Sequence, residues 1–310
     1  MKKKSVFMIL AGVILIIIIT LLVFIFRNDL LYQCADLSGA EPIKNPAYPA
    51  NGPLILFDEG HGNFHTMAGR YEPFVRLLTA DGYRFRPLRA EIDTSSLLAA
   101  DVLVIANPAD PLEQLEIDAL VEWVKGGKSL LLISDHPPFA SPLQELCHRF
   151  GVKLSGMWTA DPDQKEPNAP GPTWIRYQRS KGGLGQHPVF EGRFPDERID
   201  TVTAFTGQSI HVETGTALLK LSGNARNYET REQSQDAVGG KSVTEGDFGA
   251  QAVAIEFGQG RIIVVGEAGM LTTQVIRFLI FNLKKFGFNR PGNDNRQWVL
   301  NIMHWLTRLI

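Results

Sequence analysis

The sequence predicts an α/β protein: a doubly wound, mostly parallel sheet with an added β-hairpin region, preceded by an N-terminal transmembrane helix. Three observations carry this expectation. From Pro53 to about residue 150, short and wholly apolar runs alternate with segments of helical periodicity, the pattern of a parallel sheet covered on both faces. After residue 200, apolar runs follow one another without helices between them. At the N-terminus, "MKKK" leads into Val6 to Phe26, an uncharged run rich in Ile, Leu and Val.

That first run is long enough to span a membrane, since about 20 residues rising ~1.5 Å each cross a hydrocarbon core of ~30 Å. A cleavable signal peptide has an apolar core of only about 7–15 residues and then a small-x-small site. Here "FRNDLLYQC" follows, with bulky Tyr32 and Gln33 ahead of Cys34, so neither cleavage nor lipidation is signalled. Three lysines before the run against Arg27 after it orient the chain with its N-terminus inside. The expected organisation is a cytoplasmic tail over 1–5, a signal anchor over 6–26, a linker over 27–52 and an α/β domain over 53–310 outside the membrane. The linker assignment rests on lost periodicity and a gain of Pro, Ala and Asn.

Within the domain, "PLILF" is the first buried strand, and "EPFVRLLTADGY" is a helix stopped near Gly82. "YRFRPL" and "DVLVIANP" are the next two strands, the latter ended by Pro108. Asp110, Pro111 and Glu113 read as cap, first residue and third residue of a helix that stops at Gly126-Gly127. "SLLLIS" is a fourth buried strand, followed by a short helix from Ser141 to near Gly151. Residues 158–198 are rich in Pro, Gly, Asp and Arg and read as a long surface excursion, a length unusual unless it serves as a lid or binding element. "TVTAFTGQSIHVE", "ALLKLS", "AQAVAIEF" and "GRIIVVGEAGM" read as β, with "FGQG" as a hairpin turn. "NRQWVLNIMHWLTRLI" closes the chain as an amphipathic helix.

Composition narrows the function classes. Of the 310 residues 44% are hydrophobic and 21% charged, an ordinary globular balance. The formal charge is -2, and once the basic N-terminus is set aside, 27 basic residues face 33 acidic ones. Such a body argues against nucleic acid as a partner. Two cysteines, Cys34 and Cys147, could form one bridge in an oxidising exterior, but their settings in a linker and a helix favour free thiols.

Open α/β sheets bind ligands outside the carboxyl ends of their strands. The first strand end carries Asp58, Glu59, His61, Asn63 and His65. Later ends carry Asn107, Asp135, His136 and Glu267. Each residue alone could be a cap or turn former; together at one edge they form a candidate ligand site of Asp58, Glu59, His61, Asn63, Asn107, Asp135, His136 and Glu267. Glu59, Asp135 and His136 are the candidate catalytic groups. Asp58, His61 and His136 form a donor set that could take a divalent metal. Sharper motifs are absent. Gly-Lys-Ser at 127–129 and 240–242 lacks the glycine of a phosphate loop, with Glu122 and Gln235 in its place. There is no dinucleotide fingerprint, no Cys-x-x-Cys, no His-Glu-x-x-His and no Gly-x-Ser-x-Gly.

The strand end "FDEGHGN", the "ADVLVIANP" strand, "WVKGGKSLLLISDHPP", "HPVFEG" and "GEAGM" with "NRQWVLNIMHWL" together resemble an uncharacterised bacterial family. Its members are membrane-anchored domains of unknown function in the class I glutamine amidotransferase-like (flavodoxin-like) superfamily. The resemblance covers most of residues 53–308 and implies that fold. Relatives of that superfamily include sugar-utilisation proteins and auxiliary subunits of gliding-type transporters. The amidotransferase nucleophile, a Cys in a Gly-x-Cys-x-Gly turn, is missing. Ser134-Asp135-His136-Pro137 occupies that turn, which excludes glutamine hydrolysis by the family triad.

Three readings remain open. The first is a ligand-binding or accessory module of the cell envelope that holds a polar ligand such as a saccharide. The second is a hydrolase using strand-end carboxylate and imidazole groups, with or without a metal. The third is an auxiliary partner in a membrane transporter assembly.

Overall fold

The structure is a computed structural model that describes residues 11–20, 31–38, 42–278 and 281–310. Its frame is a nine-stranded sheet. Five strands run parallel in the order β3 (Arg84–Leu88), β2 (Leu54–Asp58), β4 (Val102–Ala106), β5 (Ser129–Ile133), β15 (Gly260–Val265). Numbered by their succession in the chain, these are 2-1-3-4-5, the flavodoxin-like order. Beyond β15 the sheet continues antiparallel through β14 (Ala250–Phe257), β10 (Ile210–Val212) and β6 (Val152–Leu154), while β11 (Thr216–Lys220) also pairs with β14. The expected hairpin is the β14–β15 pair, closed where Phe257 faces Gly260.

Both faces are covered because successive residues of each central strand feed opposite cores. Ile55, Phe57, Val102, Val104, Leu131 and Ile133 pack on one side, with helices α1 (Glu72–Ala80) and α6 (Asn295–Leu306). Leu56, Leu103, Ile105, Leu130 and Leu132 pack on the other. There they meet α2 (Thr94–Leu97), α3 (Gln114–Lys125) and α4 (Gln144–Arg149). A run with no polar position is what burial on both faces requires.

Three expectations need correction. The helix read from Asp110 begins at Gln114, capped by Glu113 with Glu116 in a capping box. The chain before it is held elsewhere, since Ala109 and Asp110 donate their backbone N–H groups to the His61 carbonyl. Residues 158–198 are not a surface excursion. They supply β7 (Trp158–Ala160) and β8 (Ile175–Gln178), and Trp174, Ile175, Tyr177, Val189 and Phe190 are buried in the main core. The segment read as a linker contains β1 (Leu31–Ala35), which pairs antiparallel with β16 (Thr273–Phe278). β16 forms a further hairpin with β17 (Phe281–Gly287).

Most of the expected span over 6–26 lies outside the described residues. Within it, residues 11–20 are helical, and Val13 through Ile19 are exposed. No helix among the described residues is long and apolar enough to cross a membrane.

Candidate functional site

The strand-end residues separate into two groups. At the end of β2, Asp58 and His61 are buried against each other, with His61 Nδ1 3.0 Å from both Asp58 carboxylate oxygens. The opposite ring nitrogen, Nε2, lies 3.1 Å from Glu116 Oε2 on α3. Asn63 Nδ2 and the Gly60 N–H also donate to Asp58, while the N–H groups of Ile92 and Glu113 donate to Glu116. An imidazole between two acceptors is doubly protonated, and the Asp58 bond, aided by Glu116 and opposed by burial, raises its pKa to about 9. Every polar atom here has a partner inside the protein. Glu59 is likewise committed, accepting from the Met67 N–H at 2.9 Å and from Arg89 at 2.8 Å.

This first group sits at the topological switch point between β2 and β4, where the flavodoxin-like order would open a crevice. Here the crevice is zipped shut. The Phe64 N–H donates to the Asn107 carbonyl, and the 109–110 backbone donates to His61. Asn107 takes a left-handed conformation with φ 46°, and its side-chain oxygen accepts from the Asp135 N–H at 2.9 Å. It joins the closed group to an open one.

The open group lies at the ends of β5 and β15, around a cleft of about 350 Å³. Asp135 and Glu267 form part of its floor, each two residues past its strand. Glu267 accepts from the N–H groups of Gly269 and Met270, and Asp135 from those of His136 and Ala268. Burial pushes both carboxyls up, and the charge of Asp135 adds to the rise at Glu267, which goes well above the usual carboxylate range. Burial first, then these two carboxyls, lifts the phenol of nearby Tyr71, whose hydroxyl donates to the Ala268 carbonyl at 2.8 Å. The His136 ring stacks on Trp158 at 3.7 Å with planes 18° apart. Its Nδ1 donates to the Pro137 carbonyl at 2.8 Å, and its Nε2 lies 3.8 Å from Asp135 Oδ1. Gln208 braces the turn by donating to the carbonyls of Ser134 and Asp135.

The walls are largely aromatic: Phe64, Phe139, Trp158, Trp174, Phe205 and Phe286. Of the five polar residues named at the first strand end, only His65 reaches the cleft. Burial drives its pKa down to about 3, and its buried Nδ1 has no hydrogen-bond partner. Asp58, His61 and His136 therefore do not assemble as metal ligands, and no group of three or more His, Cys, Asp or Glu among the described residues could hold a metal ion. Neither cysteine lines the cleft. Both are free, and burial within α4 pushes the Cys147 thiol up to about 12, far from a nucleophilic thiolate.

A family profile, described as a domain of unknown function, DUF4350, matches residues 71–277, more than half of the chain. The chain belongs to the DUF4350 family. The DUF4350 match contains Asp135, His136, Trp158, Trp174 and Glu267 and begins after the Asp58–His61 loop. A search of curated proteins finds no sequence match. Among solved structures, the mmIFT52 N-terminal domain superposes with a TM-score of 0.57 at 13% identity, covering 82% of this chain and 97% of that one. A cytoplasmic protein from Salmonella typhimurium gives 0.49 at 11%, covering 82% and 98%. A ThuA-like protein from Parabacteroides merdae gives 0.47 at 14%, covering 83% and 90%. At such identities the likeness concerns the fold alone.

Sequence reasoning missed Glu116, Tyr71 and most of the aromatic wall. Glu116 had one signal, its place three residues after Glu113 ahead of an apolar run. Trp158 and Trp174 lay in a stretch whose Pro and Gly content concealed two strands.

Proposed function

We propose that this DUF4350 chain is a ligand-binding module of the cell envelope, held outside the membrane by residues 6–26, with its ligand in the cleft at the ends of β5 and β15. The observation that carries the reading is the pairing of flat aromatic walls with a floor of hydrogen-bonding groups. Sugars present apolar ring faces flanked by hydroxyls, so a saccharide suits a site where Trp158 and Trp174 offer rings and Asp135, His136 and Glu267 offer polar atoms. The exposed apolar helix over 11–20 supports the anchor, because such a surface is costly in water. Gln33 of β1 lines the cleft only seven residues after Phe26, and seven extended residues reach about 25 Å at most. The cleft of an anchored protein would therefore face the membrane-proximal space. Strand order and cleft position also suit a glutamine amidotransferase-like domain that has lost its thiol.

Thermal-shift screening against neutral sugars and peptidoglycan fragments tests the reading. A ligand should raise the melting temperature of the wild type and not of Trp158→Ala. If no saccharide shifts the wild type, the reading fails.

One observation favours a second reading, hydrolysis. Asp135, His136 and Glu267 are three titratable groups around one cleft, and a carboxyl with a raised pKa can serve as a general acid at neutral pH. Release of reducing ends from an oligosaccharide, abolished in Glu267→Gln, would favour catalysis. Binding without turnover would restrict the cleft to recognition.

A further inference from the structure

Three basic side chains border the cleft, and none has an acidic partner among the described residues. The Arg70 guanidinium lies 4.4 Å over the Phe64 ring, and burial draws its pKa below the usual value. Lys284 of β17 stands 4.0 Å over Trp174, where burial and then neighbouring Arg290 lower its pKa. Arg290 lies on the same ring but is paired with Glu166, which also takes Arg176. Arg231, at the start of α5 (Arg231–Asp236), completes the set.

The carboxyls on the floor make no ion pair with these cations: Asp135 and Glu267 turn their oxygens to backbone N–H groups. Arg70 and Lys284 are half-buried, and a half-buried cation without a counter-charge costs stability, whereas Arg231 is exposed. A ligand anion would supply the missing charge inside a cleft whose low-dielectric walls concentrate the field.

We infer that the cleft takes an anionic saccharide, whose carboxylate or phosphate meets Arg70 and Lys284 beside the aromatic wall. This rests on the saccharide reading above. Isothermal titration of the full chain in detergent micelles at low salt would use two matched pairs of probes. One is tri-galacturonate against its methyl ester; the other is glucose 6-phosphate against glucose. The charged member of at least one pair should bind tenfold or more tighter than its neutral counterpart, and the pair that shows this identifies the anion. Arg70→Gln and Lys284→Gln should each reduce that preference at least fivefold, with melting temperatures confirming the fold. Lys284 lies at the cleft wall on an outer hairpin, so its variant reports even if Arg70→Gln unfolds. Equal binding of charged and neutral members would overturn the charge assignment and leave the saccharide reading standing. Binding of neither would end both. A preference undiminished in the folded variants would also overturn the assignment.

Discussion

His61 and Glu267 both lie buried at strand ends, and their surroundings treat them in opposite ways. His61 sits between two carboxylates, and its folded pKa of about 9 exceeds the 6.5 of the free side chain. The stability it contributes is therefore complete below pH 6.5 and is lost as the pH rises through about 9. The wild-type melting temperature should fall over that window, and the fall should flatten in His61→Gln; a flat wild-type profile would show that the ring is not a charged bridge. Because removing one member strands two buried carboxylates, His61→Gln should also cost about 3–5 kcal/mol below pH 6.5, measured by urea unfolding. Burial and then the charge of Asp135 push the Glu267 carboxyl well above the usual carboxylate range, although its oxygens accept the N–H groups of Gly269 and Met270. A carboxyl kept neutral by burial can donate a proton or a hydrogen bond, which is why the cleft and not the His61 network is the functional candidate.

Among the elements, the central parallel strands were legible because burial on both faces leaves a run with no polar position, as in "VLVIA" and "LLLI". β1 was not legible, since five residues of mixed polarity give no period and their strand identity comes from a partner more than 230 residues away. The same reason hides β7 and β8, whose pairing and burial are decided by tertiary contacts. The site was legible as a set of strand ends but not as two groups, because hydrogen bonds between loops decide which crevice is open. β1 makes this testable: a chain starting at residue 31 should keep its saccharide-induced thermal shift, and one starting at residue 53 should lose it along with Gln33. Gly287, which ends β17 with φ 99°, carries a related prediction. A Cβ there would sit 2.0 Å from the Thr272 carbonyl oxygen, so Gly287→Ala should destabilise the hairpin by more than about 1 kcal/mol in urea unfolding and weaken ligand binding.

At the scale of the whole molecule, the carboxyl edge of the sheet carries a zipped switch point and a neighbouring cleft, while the N-terminal strand ties that cleft to the apolar segment preceding it. Full-length chain should remain with the membrane fraction through a high-salt wash, and a chain lacking residues 1–26 should be released; retention of the shortened chain would show that another surface holds it there. The central claim, that ligand enters between β5 and β15 and not at the first strand end, is tested most directly by NMR titration of side-chain resonances in the presence of a saccharide. The account predicts perturbed signals from the Trp158 and Trp174 indoles and the His136 ring, with the His61 ring unmoved. Perturbation centred on His61, with the two indoles unchanged, would contradict it.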